Sequence, residues 1–173
     1  MLKMLLGSTA ETIFRSSKTP VLTVGPKVLA EAPATGPKRV LYATGFSAQS
    51  LYAGKFAVAI AERNQAQLAL LHVVKEAPEE MARREALQHE NEERLRHLVP
   101  LAASLPRAPE LRVAFGPAAE AILGAAEAWH PDVIVLGLRR HSQETQQRTW
   151  MTAYNVVSNA TCPVLTVRTP EDL

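Results

Sequence analysis

Short runs of β-branched and leucine residues alternate along this chain with longer segments whose apolar residues recur every three or four positions. A run that is apolar at successive positions suits a strand covered on both faces, whereas the wider spacing suits a helix with one buried stripe. Their alternation predicts right-handed βαβ crossovers and a parallel sheet, an α/β fold. The first strand is predicted at residues 39–43 (RVLYA). Ser47 follows as a predicted N-cap, because its hydroxyl accepts an orphan amide of the first helical turn. Tyr52, Phe56 and Ile60 then mark the buried stripe of a helix. Residues 67–74 (QLALLHVV) predict an inner strand, and residues 78–104 predict a long, solvated helix with Met81, Leu87, Leu95 and Leu98 as its sparse apolar members. A third strand at 111–115 runs through Gly116 and Pro117 into a helix at 118–129, with Pro117 suited to a first turn. Strand 133–138 (VIVLGL) opens a polar loop, and a helix at 152–160 and a strand at 164–168 complete five strands and four helices.

The closing helix-and-strand pattern occurs twice. Residues 7–26 (GSTAETIFRSSKTPVLTVGP) align without gaps on residues 150–169 (WMTAYNVVSNATCPVLTVRT), with seven identities that include the run Pro-Val-Leu-Thr-Val. The stretch 26–38 between the first copy and the main pattern is rich in Pro, Ala and Gly, the composition of a linker.

Composition narrows the chemistry. At 173 residues the chain holds one ordinary domain and an appendage, and 47% apolar residues supply a packed core. A net charge of +2 and the lack of a reading helix argue against nucleic acid as a partner. No run reaches the ~20 apolar residues of a membrane span, so neither a membrane nor a signal peptide is expected. Cys162 is the single cysteine, which excludes an internal disulfide and a cysteine-based metal cage and suits a reducing cytoplasm. His72, His89, His97, His130 and His141 show no metal-ligand spacing, and no nucleophile elbow or Ser/His/Asp order is present. The expectation is no metal and no catalytic residue.

Four separated segments, VLYATGFSAQS, LALLHVV, FGPAAEAILGAAEAWHPDVIVLGL and TCPVLTVR, together resemble the universal stress protein (UspA-like) family. The resemblance implies a five-stranded parallel sheet with helices on both faces, a Rossmann-like fold of the adenine nucleotide α-hydrolase type, with residues 39–168 as the domain and 169–173 as a tail. The leading residues 1–25 resemble the closing helix and strand of a preceding domain of the same type. A piece or descendant of a tandem protein is the expectation.

Many members of that family bind ATP through a loop G-x2-G-x9-G-(S/T) at the end of the fourth strand. Glycine suits such a loop because main-chain amides must approach phosphate oxygens closely. Gly137 matches the first glycine, but Arg140, Trp150 and Met151 occupy the later motif positions at unchanged spacing. Thr152, one residue late, is the candidate cap of the following helix. Gly45 stands where ATP-binding relatives carry an aspartate that contacts the nucleoside. The indole of Trp150 brings ~200 Å² of surface and is expected to occlude the phosphate space. Gly7, Ser8 and Thr9 keep the phosphate-end motif in the leading segment, apart from the strands that would complete that site.

The resemblance implies a non-enzymatic stress-response protein with a degenerate ATP site and no resident cofactor. It implies homodimerisation through the edge strand 164–167, with the leading strand 21–24 as a second edge that pairs in cis or is exchanged between chains. The alternative is a nucleotide-binding regulator or weak ATPase. In it, Gly137 and the basic residues Arg139, Arg140, His141 and Arg148 hold ATP or another anion.

Overall fold

The computed structural model describes residues 12–13, 17–28, 35–100, 103–138 and 143–169, with the backbone alone for 143–149. Its elements are β1 (Val21–Thr23), β2 (Arg39–Thr44), α1 (Ala48–Asn64), β3 (Gln67–Val74), α2 (Met81–Arg96), β4 (Glu110–Phe115), α3 (Ala118–Trp129), β5 (Val133–Leu138), α4 (Gln143–Asn159) and β6 (Val164–Arg168). The strands form one sheet in the order β1-β6-β5-β2-β3-β4. β2 to β6 run parallel, as the βαβ rhythm predicts, and β1 is antiparallel to β6.

Alternation along the strands feeds two cores, because successive side chains point to opposite faces. Leu41, Leu71, Ile134 and Leu136 pack under α3 and α4. Val40, Tyr42, Leu70 and Val135 pack on the other face with α1 and Leu95 of α2. Each fully buried Leu or Ile here contributes roughly 1.5–3 kcal/mol of apolar transfer.

The α1 stripe differs from its prediction. Ala53, Ala57 and Ala61 are its fully buried apolar residues. Tyr52, Phe56 and Ile60 flank that stripe half-buried, with the two aromatic rings edge-on at 5.5 Å. Small side chains let the helix axis approach the sheet, and a Cβ on Gly54 would lie 3.0 Å from the Tyr42 hydroxyl. The long charged helix is shorter than predicted, ending at Arg96 with His97 as its C-cap. Pro100, soon after, cannot continue it.

α4 begins at Gln143, well before the predicted 152. Residues 143–148 (QETQQR) hold no apolar stripe, so periodicity read them as loop, although Gln, Glu and Arg are good helix formers. Thr152 therefore lies inside α4 and is not its cap.

The leading segment joins the main sheet. Val21, Leu22 and Thr23 pair with Thr166, Leu165 and Val164, and the Thr166 hydroxyl donates to the Val21 carbonyl at 3.3 Å. A Cβ on Gly25 would collide with the Val157 carbonyl, and Lys27 Nζ donates to Asn159 Oδ1 at 2.8 Å. Glycine at 25 is thus what lets the chain cross α4 at close range. With β1 in place, β6 is interior, and β1 and β4 are the edges.

The β1 and β6 registers also follow the internal repeat. Leu22 and Leu165 occupy equivalent positions in the two copies and face each other, while Val21 faces Thr166 and Val164 faces Thr23. An antiparallel pair centred on equivalent residues has local two-fold symmetry, the arrangement of a self-complementary interface.

Candidate functional site

Chain order reverses between β5 and β2. From β2 the chain proceeds outward through β3 and β4, and from β5 it proceeds the other way to β6. In open α/β sheets ligands bind outside the carboxyl ends of the strands at such a switch. A cavity of about 330 Å³ lies there. Its floor is Ala43, Leu71, Leu136 and Ile122, and its polar rim is Thr44, Ser47, Ser50 and Thr152. None of its described lining residues is charged.

Three of the rim hydroxyls are engaged in holding the start of α1. Ser47 caps the helix as predicted, with extended φ/ψ of −76°/157° and its Oγ accepting from Ser50 N–H at 3.3 Å. Ser50 Oγ donates to the Ser47 carbonyl at 2.8 Å, and Thr44 Oγ1 donates to Ser50 Oγ at 3.2 Å. From below, the Tyr42 hydroxyl donates to the Ser50 carbonyl. Burial raises the Tyr42 pKa, so this phenol remains a donor at neutral pH. The network pins the first turn of α1 to the end of β2 and fixes one cavity wall.

Gly137 lines the cavity, and its lack of a side chain has a local cause. A Cβ there would stand 2.6 Å from both the Gln49 carbonyl oxygen and Ser50 Cα. Both are backbone atoms of the tethered α1 turn and cannot swing aside. Close helix-to-strand packing thus accounts for this glycine without a ligand. Gly45, by contrast, is exposed, and a Cβ on it would meet nothing within 4 Å. Position 45 therefore leaves open space at the cavity rim.

Of the predicted site residues, Gly45, Gly137 and Thr152 converge on the cavity. Arg140, Arg139, His141, Gly7, Ser8 and Thr9 lie outside the described residues, and the side chain of Arg148 is not described. Occlusion by Trp150 is not what the structure displays. Its indole stacks on Tyr154, one turn on, with ring centroids 5.0 Å apart, and packs against the α3/α4 core rather than lining the cavity. The backbone is helical from Gln143 to Asn159. Beyond the first four amides of a helix, each N–H is committed to a carbonyl four residues back.

Sequence reasoning missed Phe46. It follows Gly45 and has a left-handed φ of +56°, rare for a bulky residue and costing about 1–2 kcal/mol. Among the described residues the other two non-glycine positions with positive φ, Gln65 and His130, are helix C-caps. Phe46 is held by its surroundings. Its N–H donates to Thr44 Oγ1 at 3.1 Å, its ring meets His72 at 4.3 Å, and the Arg94 guanidinium lies 3.9 Å from the ring centroid. His72 Nδ1 is 2.8 Å from the Thr44 carbonyl, which only accepts, so Nδ1 carries the proton. Burial lowers the His72 pKa, the Thr44 hydrogen bond opposes that shift, and the Arg94 charge adds to it. No sequence pattern announces a left-handed phenylalanine.

Cys162 is buried, and burial first, then the Asp132 charge, pushes its thiol up to about 11. Burial and the raised pKa keep it from the thiolate form that reacts. Among the described residues no cluster of His, Cys, Asp or Glu has the arrangement of a metal site, and no helix is long and apolar enough to cross a membrane.

Residues 36–168 match the model of the universal stress protein family, and the chain belongs to that family. Solved structures agree on the fold. The universal stress protein UspA from Lactobacillus plantarum aligns at 22% identity and a TM-score of 0.57, over 76% of this chain and 97% of that one. A universal stress protein from Archaeoglobus fulgidus aligns over 99% of this chain but 57% of its own length, at 19% identity and a TM-score of 0.64. A third, described as a universal stress protein in complex with cAMP, aligns at 24% identity and a TM-score of 0.56, over 76% of this chain and 96% of that one. No curated protein matches.

Proposed function

We propose that this protein is a cytoplasmic, non-enzymatic member of the stress-response family that acts through association and has a degenerate ATP site. The observation that carries the reading is that α4 is already helical at Gln143, within the stretch that would serve as the phosphate loop, where bare amides would be needed. The cavity lining adds support. Phosphoryl transfer needs a metal-binding carboxylate, a cation on the phosphates and a group that orients the nucleophile. The described lining offers hydroxyls already bonded to one another and apolar side chains. No resident cofactor is part of this reading.

Association is proposed through the edge that β6 and β1 build. A second copy either meets β1 at its open side, where Leu22 and Val24 are exposed, or exchanges the leading strand. The longer Archaeoglobus relative aligns with nearly the whole of this chain, leading segment included, which supports reading residues 1–25 as the closing helix and strand of a preceding domain.

One observation favours a second reading, a nucleotide-binding regulator or weak ATPase. Arg139, Arg140, His141 and Arg148 follow Gly137 within a dozen residues, and a relative of the same fold is described with cAMP. The two readings separate on freshly purified protein. Denatured, and its supernatant chromatographed, it is expected to release less than a tenth of an equivalent of adenine nucleotide. Near-stoichiometric release would establish the regulator.

A further inference from the structure

Arg94 from α2 and His72 from β3 both lie against the ring of Phe46, in the loop after β2. Phe46 sits between Gly45 and Ser47, and both of these line the switch-point cavity. The cluster therefore holds the lip of the cavity. That lip stores strain in the left-handed φ of Phe46, a conformation that persists only where the surroundings hold it. α2 depends on few anchors: Asn91 and Leu95 are its buried residues, and Asn91 Oδ1 accepts from the Arg94 guanidinium at 3.4 Å.

We infer that this cluster is an acid-releasable latch, in which a second positive charge at His72, beside that of Arg94, frees Phe46 and loosens residues 45–47 around the cavity. The inference goes beyond the proposed association and holds whether or not the cavity takes a nucleotide. In the neutral state His72 donates Nδ1–H to the Thr44 carbonyl, so an added proton goes to Nε2. The groups facing His72 from packed elements are Arg94 from α2, the Thr44 carbonyl from β2, and its register partner Val113 from β4. Arg94 opposes the proton, and the Thr44 carbonyl alone favours it.

The sign follows from the lowered pKa of His72, whose first cause is burial. The unfolded or released histidine takes a proton near its ordinary value of ~6.5, before the latched one does. The closed latch is at full strength above that value and is lost as pH falls through the lowered one.

Amide hydrogen exchange, corrected for intrinsic rates, reads the latch without any ligand. Between pH 7.5 and pH 5.0 the protection of residues 45–47 is expected to fall tenfold or more in the intact chain. In His72→Phe, which keeps a ring beside Phe46, protection stays flat, and in Arg94→Met the transition moves to higher pH. His72→Gln serves as a second variant if the first is unstable. Equal loss of protection in the intact chain and the His72 variants would overturn the latch, as would flat protection in the intact chain. ATP binding at neutral pH would defeat the silent-site reading and leave this result untouched, so the two failures are distinguishable.

Discussion

Gly137→Ala is expected to cost about 3 kcal/mol and to lower the melting temperature by roughly 6–12 °C, whereas Gly45→Ala stays within about 0.5 kcal/mol. Both positions carry glycine beside the same cavity, and a phosphate-loop account treats them alike as room for a ligand. The structure separates them. The methyl group at 137 would enter the Gln49–Ser50 backbone at 2.6 Å, and that turn is fixed by Ser47, Thr44 and Tyr42. Relief would require β5 and α1 to separate, which strips apolar contact along Val135 and Ala57. At 45 the same methyl enters open space. Thermal unfolding of the two variants without ligand checks the claim. Equal, small effects would mean that Gly137 is not a packing residue.

Removal of residues 1–25 is the second change with a large expected effect. It takes away the three cross-strand pairs of β1 and the docking of Gly25 over Val157, together about 2–3 kcal/mol, or roughly 4–12 °C in melting. It also opens the β6 edge. Because β1 pairs with β6 about equivalent residues, a second β6 strand fits that edge in the same register. Light scattering should therefore record a change of mass together with the earlier melting. An unchanged mass with unchanged melting would contradict association through this edge.

Much of the fold was legible because its signals are local. The apolar runs RVLYA, QLALLHVV and VIVLGL are strands since both faces of a parallel sheet are covered, and Ser47 is a cap because its hydroxyl sits where an orphan amide needs it. The candidate site was half legible. The family resemblance named Gly137, Gly45 and Thr152, which the structure brings together, but it assigned Gly137 to a ligand when backbone proximity is enough to require it. The early start of α4 was hidden because a helix lacking an apolar stripe gives no periodic signal. Trp150 was misplaced for the same reason: once residues 143–149 are helical, its ring turns onto Tyr154 and the core. Phe46 was invisible because its conformation is imposed by His72 and Arg94, residues 26 and 48 positions further along the chain.

Titration calorimetry of the purified protein with ATP and Mg²⁺ at pH 7.5 tests the silent site most directly. With α4 helical from Gln143, no saturable heat is expected up to ~1 mM nucleotide, a bound weaker than about 4.1 kcal/mol. A dissociation constant below ~100 µM, about 5.5 kcal/mol, would contradict the account.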